Sequence, residues 1–317
     1  MNFPKLLGKY RIVQHIANGS NSFIFQVVDV NTDQKYACKV FIHSQLINNG
    51  KIEDIEKEVN ILRLLDSDYI IKIEDFFIID DLLCIVLEYC DRGDLYTYIL
   101  HNSPLPEYEI IRIFKQILAG LDYLHKCQVV HRDIKPENIL LDQNLDIKIC
   151  DFDCASCVSP SALLSDQKGS LYYTAPEVIR HVPYDGYKAD IWSLGIIIYL
   201  MITGTLPWKD GHTSGIVKQI TSCNINIPSN TTSILQEVLR EMLQQDPTNR
   251  PSACLILSKI DTNSSPIKCL KRKKIDVCSK SKRRTITPAI FIPKNAIVSS
   301  SFSSKLKQSR LRANSTN

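Results

Sequence analysis

The sequence predicts an α+β protein built in two parts, a small β-rich part followed by a larger helical one. Three observations carry this. The first 89 residues are dominated by short runs of Val, Ile, Phe and Tyr, the residues that fit a half-buried pleated surface. After Arg92-Gly93 the apolar residues recur at intervals of three and four, which is the helical period. From Thr262 onward the chain turns to Ser, Thr, Asn, Lys and Arg, a composition that cannot fill a core.

The elements follow in order. YRIVQHIA (10–17), FIFQVVDV (23–30) and QKYACKVFI (34–42) read as strands, with Asn31-Thr32-Asp33 as the turn between the last two. In KIEDIEKEVNILRLL (51–65), Ile52, Ile55, Val59 and Leu62 line one helical face. IIKIEDFFII (70–79) and LLCIVLEY (82–89) are two further strands around Asp80-Asp81. EYEIIRIFKQILAGLDYLH (107–125) is a helix with Ile110, Phe114, Ile117, Leu118, Leu121 and His125 on one side, started by Pro104 and Pro106. NILLD and DIKIC form a short strand pair around a polar turn. A stretch without clear period, 152–174, reads as a long loop, and such loops are usually functional. Helical patterns resume at 187–203, 231–244 and 251–260.

Charge divides the chain more sharply than its net value of +4. Residues 1–261 hold 24 Lys/Arg against 33 Asp/Glu, and residues 262–317 hold 14 Lys/Arg against Asp276 alone. An acidic body thus carries a basic tail, an arm suited to a polyanion or to an import receptor. KRKK (271–274) and KSKRR (280–284) have the spacing of a bipartite nuclear import signal; a solvated basic tail is the other reading. Thr287-Pro288 and Ser265-Pro266 are weak candidate phosphorylation sites. The 11 cysteines follow no framework, and MNFPKLLGKYR lacks a signal-peptide core. Both predict an intracellular, reducing location, cytoplasm or nucleus. Ile191–Trp208, the longest apolar run, is too short for a membrane span and is read as a buried helix.

Chemistry concentrates at VVHRDIKPENILLD (129–142). Asp133 can accept a proton from an attacking hydroxyl. Lys135 can offset charge on a transferring phosphate. Asn138 and, further on, Asp151 are hard oxygen ligands of the kind Mg²⁺ takes. Upstream, the small-residue turn in IANGSNSFIF (16–25) lets backbone N–H groups approach phosphates, although an ordinary hairpin would look the same. Lys39 lies mid-strand among apolar neighbours and needs an anionic partner, which Glu58 on the next helix offers.

With these motifs in this order, the chain resembles a eukaryotic-type protein kinase of the serine/threonine branch, over residues 10–260. The resemblance implies a two-lobed fold. A small, mainly antiparallel β lobe with one key helix (10–89) precedes a larger, mainly α lobe (92–260), flanked by an extension at 1–9 and a tail at 261–317. It implies ATP and Mg²⁺ as cofactors and protein substrates with Ser/Thr acceptors. Ile16, Ala17, Asn18, Gly19, Ser20, Asn21, Ser22, Phe23 and Ile24 would cover the nucleotide. Lys39 would anchor phosphates with Glu58 as its partner. Glu88 and Cys90 would meet adenine after a gatekeeper at Leu87, and Asp94 the ribose or the peptide. Asp133 would be the base, Lys135 its companion, and Asn138 and Asp151 the metal ligands. Glu177 should pair with Arg250, and Asp190 should anchor the catalytic loop. Lys135 and Gly169-Ser170 are similar to the residues that mark Ser/Thr specificity. GTLPW and KPENILLD look most like the calmodulin-dependent and AMP-activated-type group.

The departures frame the remaining expectations. Ala17 and Ser22 stand where the family has glycines, and Asp153 replaces the glycine of the Asp-Phe-Gly triplet. The reading at Asp153 is a conformational cost, because Asp tolerates positive φ better than most residues. Every residue with a chemical role remains, so an active enzyme is expected, with a pseudokinase scaffold as the alternative. A nucleic-acid role through the tail has no groove-reading or base-stacking motif behind it. Asp166 occupies the place of an activating phosphothreonine and should pair with Arg132, with Ser165 as the competing phosphosite. Cys154 and Cys157 suggest a reversible disulfide or two ordinary loop thiols. Asp94 and Glu137 hint at basic residues ahead of the acceptor, while Leu200 stands where basic-directed relatives carry a glutamate.

Overall fold

The computed structural model describes residues 3–19, 21–209, 212–229 and 231–262. Ser20 and the basic clusters at 271–274 and 280–284 therefore lie outside the described residues. The described residues divide into two units, residues 3–59 with 73–89, and residues 60–72 with 90–262.

The first unit is a six-stranded sheet in the order β1-β2-β3-β4-β6-β5. Its strands are β1 (Leu6–Leu7), β2 (Tyr10–Asn18), β3 (Ser22–Asp29), β4 (Lys35–Ile42), β5 (Ile73–Ile79) and β6 (Leu82–Glu88), and every neighbouring pair is antiparallel. Strand alternation sends Cys38, Val40, Cys84 and Val86 into one cluster with Tyr10, Phe25 and Val27. Phe41, Leu83 and Ile85 enter a second cluster with Ile52, Ile55 and Val59. Helix α1 (His43–Ile47) follows β4, and α2 (Ile52–Leu64) supplies that second cluster. Leu7, in the segment read as an extension, is fully buried in the first cluster.

The second unit is mainly helical. It holds α3 (Leu95–Asn102), α4 (Glu107–Lys126), α5 (Pro176–Ile179), α6 (Gly186–Thr203), α7 (Thr213–Ser222), α8 (Ser233–Met242) and α9 (Ala253–Thr262). Two small antiparallel pairs accompany them: β7 (Val129–Val130) with β10 (Ser156–Cys157), and β8 (Ile139–Leu141) with β9 (Ile147–Ile149). Helix α6 is buried along nearly its whole length, with Trp192 at 0% exposure, and ends at Gly204 with φ +71°. Among the described residues no helix is long and apolar enough to cross a membrane.

Two expectations are corrected, and one helix comes without a sequence signal. The fifth strand begins at Ile73, not residue 70. Ile70 bridges Ile149, and Ile71 donates to the Ile149 carbonyl at 2.9 Å, so this stretch packs with the second unit. The run 152–174 is not featureless, because Ser156 and Cys157 pair with β7 and Leu171–Tyr173 form a 3₁₀ turn. Helix α3 was not legible from its period. It is only 8 residues long and rich in tyrosine, and its start depends on Asp94, whose carboxylate caps Thr97 N at 2.7 Å.

Candidate active site

In the first unit, Lys39 pairs across the sheet with Ile24 and Ile85. That register turns it to the face covered by α2. There Glu58, one position before the buried Val59, accepts from its ammonium at 3.0 and 3.3 Å. The carboxylate side chain is 2% exposed and the lysine 12%. A pair this shielded fixes the lysine in place, since neither charge can leave without stranding the other. The β2–β3 turn closes with Gly19 N donating to Ser22 O at 2.8 Å. A Cβ on Gly19 would sit 2.4 Å from Ser22 Oγ. The buried Ser22 hydroxyl therefore fills the room beside this glycine. Glu88 ends β6 opposite Tyr36, and Leu87 stands opposite Ala37.

In the second unit, the loop after β7 hangs from one buried carboxylate. Asp190, on α6 and 1% exposed, accepts from His131 N at 2.9 Å and Arg132 N at 2.8 Å, with His125 Nε2 at 3.1 Å. This holds Arg132 at φ +66°, a conformation a bulky side chain adopts only under constraint. His131 Nε2 meets the Cys150 carbonyl at 3.0 Å, and its ring lies 5.0 Å from that of Phe152.

Asp133 follows, and its carboxylate is held on both oxygens. Oδ1 accepts from Ser170 N at 2.8 Å, and Oδ2 accepts from Lys135 at 2.6 Å and Asn138 Nδ2 at 3.3 Å. Lys135 also donates to Ser170 Oγ at 3.0 Å. Burial works against the Lys135 ammonium, but the charge and hydrogen bond of Asp133 outweigh it and raise the amine above its ordinary range. The result is an anchored carboxylate beside a permanent cation. That arrangement can orient a hydroxyl and balance charge on an incoming phosphate.

Asn138 and Asp151 are brought to one end of the β8–β9 hairpin, because Cys150 N donates to the Asn138 carbonyl at 2.9 Å. Asn138 is 5% exposed. Its Nδ2 serves Asp133 O at 2.9 Å, which leaves the amide oxygen to offer a hard cation. Asp151 stands at φ +65°, and a carboxylate oxygen of Asp153 comes within 4.8 Å of one on Asp151. This donor set, an amide oxygen with carboxylates, fits Mg²⁺. The expectation for Asp153 is corrected. The residue of the triplet in the left-handed region is Asp151, and Asp153 is exposed and not among the positive-φ residues. The loop's turn is made one residue pair earlier than composition suggested, so Asp153 bears no left-handed strain.

Asp166 meets Arg132 Nη1 at 2.6 Å, as expected. Glu177 and Arg250 form a two-pronged pair at 2.7 and 2.8 Å, with Trp192 5.0 Å from the guanidinium. Leu200 is buried within α6. Cys154 and Cys157 are free thiols, and burial pushes Cys154 up to about 11, far from a reactive thiolate. Asp94 caps α3 with both carboxylate oxygens, at 2.7 Å to Thr97 N and 3.0 Å to Thr97 Oγ1. Glu137 Oε2 is shielded and has no hydrogen-bond partner among the described residues. Burial pushes this carboxyl above the usual carboxylate range, Asp94 and Asp133 add to the shift, and its own backbone N–H and Lys135 oppose it.

Comparison with known proteins agrees with this geometry. The protein kinase domain model matches residues 10–260. The chain is 35% identical over 250 residues to the carbon catabolite-derepressing protein kinase of Candida tropicalis, covering 79% of this chain and 40% of that one. It is 35% identical over 247 residues to the SNF1-related protein kinase catalytic subunit alpha KIN12 of Arabidopsis thaliana, covering 78% and 50%. It is 32% identical over 263 residues to the serine/threonine-protein kinase GIN4 of Saccharomyces cerevisiae, covering 77% and 23%. The chain thus spans half or less of the length of these relatives.

Proposed function

This chain belongs to the protein kinase family, with similarity to its SNF1-related, AMP-activated-type group, and we propose that it transfers the γ-phosphoryl group of ATP to Ser and Thr hydroxyls of proteins. The observation that carries the proposal is the Asp133 carboxylate fixed by Ser170 N at 2.8 Å and Lys135 at 2.6 Å. Asp133 orients and deprotonates the acceptor hydroxyl. Lys135 balances the charge that develops on the transferring group. Lys39, held by Glu58, takes the nucleotide phosphates, and Ile16 to Ile24 cover them. Glu88, Cys90 and Asp94 are the remaining nucleotide-side positions. Asn138 and Asp151 hold Mg²⁺, which would bridge phosphate oxygens and neutralise their charge. Asp94 and Glu137, two acidic positions, support a preference for a basic side chain near the acceptor. The basic clusters at 271–274 and 280–284 support a nuclear import or polyanion-binding role for the tail. No observation favours a scaffold without turnover.

The test is transfer of labelled phosphate from Mg-ATP to the protein itself and to a mixed Ser/Thr peptide library. Transfer that disappears in Asp133→Ala supports the assignment, and selection of peptides with Arg or Lys ahead of the acceptor supports the part given to Glu137. Nucleotide binding without transfer by the wild type overturns the catalytic reading.

A further inference from the structure

Residues 3–9 precede the stretch that matches the kinase family, yet they are built into the first unit. Gly8 at φ +58° turns the chain between β1 and β2, so that Leu6 faces Arg11 and Leu7 faces Tyr10 across the ladder. The pairing runs one step further, with Ile12 N donating to the Lys5 carbonyl at 3.0 Å. Leu7 is fully buried, which fixes the direction of the segment. Pro4 restricts the backbone of Phe3 to extended conformations. Phe3 arrives on β3, where its ring meets those of Phe23 and Phe25 at 4.9 and 4.8 Å between centroids, edge to face at 61° and 64°.

Those two rings lead to the turn between β2 and β3. Phe23 directly follows Ser22 and pairs with Asn18, so it stands at the base of the turn. Phe25 pairs with His15, whose ring lies edge-on to it at 5.4 Å. His15 Nε2 in turn meets Asn18 Oδ1 at 2.9 Å. Phe3 therefore bears on both strands of the hairpin, on β3 directly and on β2 through Phe25 and His15. It does so on the face that carries Phe25, Cys38 and Val40. Ile24 and its cross-strand partner Lys39 point the other way, so Phe3 does not compete with a group that Lys39 holds.

We propose that Phe3 is a positioning residue. The segment 3–7 is a strap, and its aromatic end steadies the β2–β3 turn where it covers the nucleotide phosphates. A turn that takes up this position only part of the time binds the nucleotide more weakly by that fraction. An edge-to-face aromatic contact shifts such an equilibrium by about two- to tenfold. The effect on ATP rests on the kinase reading above; the effect on the turn does not. Phe3 is half-buried, so loss of its ring leaves β1 and the buried Leu7 in place.

The test uses the full chain and three variants. Phe3→Ala removes the ring, Phe3→Tyr keeps it, and Leu6→Ala trims an exposed side chain of the same strap. Amide exchange, read by mass spectrometry on a peptide spanning the β2–β3 turn, should be about three- to tenfold faster in Phe3→Ala. Phe3→Tyr and Leu6→Ala should match wild type. KM for ATP should rise about three- to tenfold in Phe3→Ala with kcat within about twofold, because saturating nucleotide holds the turn by itself. A general loosening of the sheet would instead speed exchange in β4 and β6 as well, and that result overturns the strap. Equal exchange at the turn in Phe3→Ala and wild type also overturns it, as does faster exchange with KM for ATP unchanged. If the wild type transfers no phosphate, the kinase reading falls and exchange decides: faster exchange confined to the turn sustains the strap, equal rates overturn it.

Discussion

Two arginine–carboxylate pairs in the second unit look alike on paper and differ in their surroundings. Glu177 and Arg250 meet through two contacts, with side chains 6% and 0% exposed. Arg250 also reaches the Gln244 and Lys188 carbonyls at 2.9 and 3.0 Å. Arg132 and Asp166 meet through one contact, and the carboxylate is 51% exposed. The first pair has no exit to water, so it is made once, when the chain folds. The second has one partner in solvent, so it can be made and broken in the folded protein at modest free energy. The same pairing of arginine with a carboxylate is thus a permanent staple in one place and an exchangeable contact in the other.

The largest effect should come from breaking the staple. Glu177→Gln leaves the Arg250 guanidinium buried without an anion, and the fold should lose about 3–5 kcal/mol. For a domain of this size that is roughly ten degrees in Tm. Asp166→Asn should cost less, about 1–2 kcal/mol, because half of that carboxylate is already hydrated, although Arg132, 4% exposed, loses its anion. Thermal melts of the two variants in parallel check the contrast. Equal losses would show that exposure does not separate the pairs.

Much of this was legible in the sequence. Strands β2, β3, β4 and β6 lie within a residue or two of the Val/Ile/Phe/Tyr runs that predict them, because a two-residue alternation over two cores leaves little choice of register. The pairs Lys39–Glu58, Glu177–Arg250 and Arg132–Asp166 followed from position within a recognised motif order. What was not legible depends on backbone atoms. The N–H of Ser170 that holds Asp133 has no residue signature, since every residue but proline has one. The left-handed turn falls at Asp151, where packing sets φ, and not at Asp153, where composition pointed. Ile70 and Ile71 continue an apolar run in sequence, yet their backbones bond to Ile149.

A third carboxylate sharpens the comparison, because Glu137 is half-buried, with Oε2 shielded and no hydrogen-bond partner on it among the described residues. Its folded pKa lies above the unfolded value, mainly through burial. The native state therefore binds this proton more tightly than the unfolded chain does. The stability it contributes is complete below the unfolded pKa and is lost as pH rises through the folded pKa. At neutral pH the ionised group burdens the fold. Glu137→Gln should then raise Tm at neutral pH, and the gain should vanish as pH falls through the acid range. A gain that persists unchanged at low pH would mean that charge is not its source. The same variant should lose preference for peptides with a basic residue near the acceptor, so one substitution trades recognition for stability.

The smallest effect should come from Asp153→Gly, which restores the family's glycine. Glycine is worth most where the chain needs positive φ, and Asp153 does not occupy that region. Relief of strain there is absent, and the added freedom of the unfolded chain works slightly against the fold. Stability should change by no more than about 0.5–1 kcal/mol, on the unfavourable side. The carboxylate lost lies within 4.8 Å of Asp151 but belongs to an exposed residue, so kcat should stay within about twofold. Steady-state rates and melts of the variant beside wild type measure both. A rise in kcat of ten times or more would mean that Asp153 holds the enzyme back. The buried Glu177–Arg250 pair and the exposed Arg132–Asp166 pair would then both belong to a protein kept at rest by the loop at Asp151–Asp153.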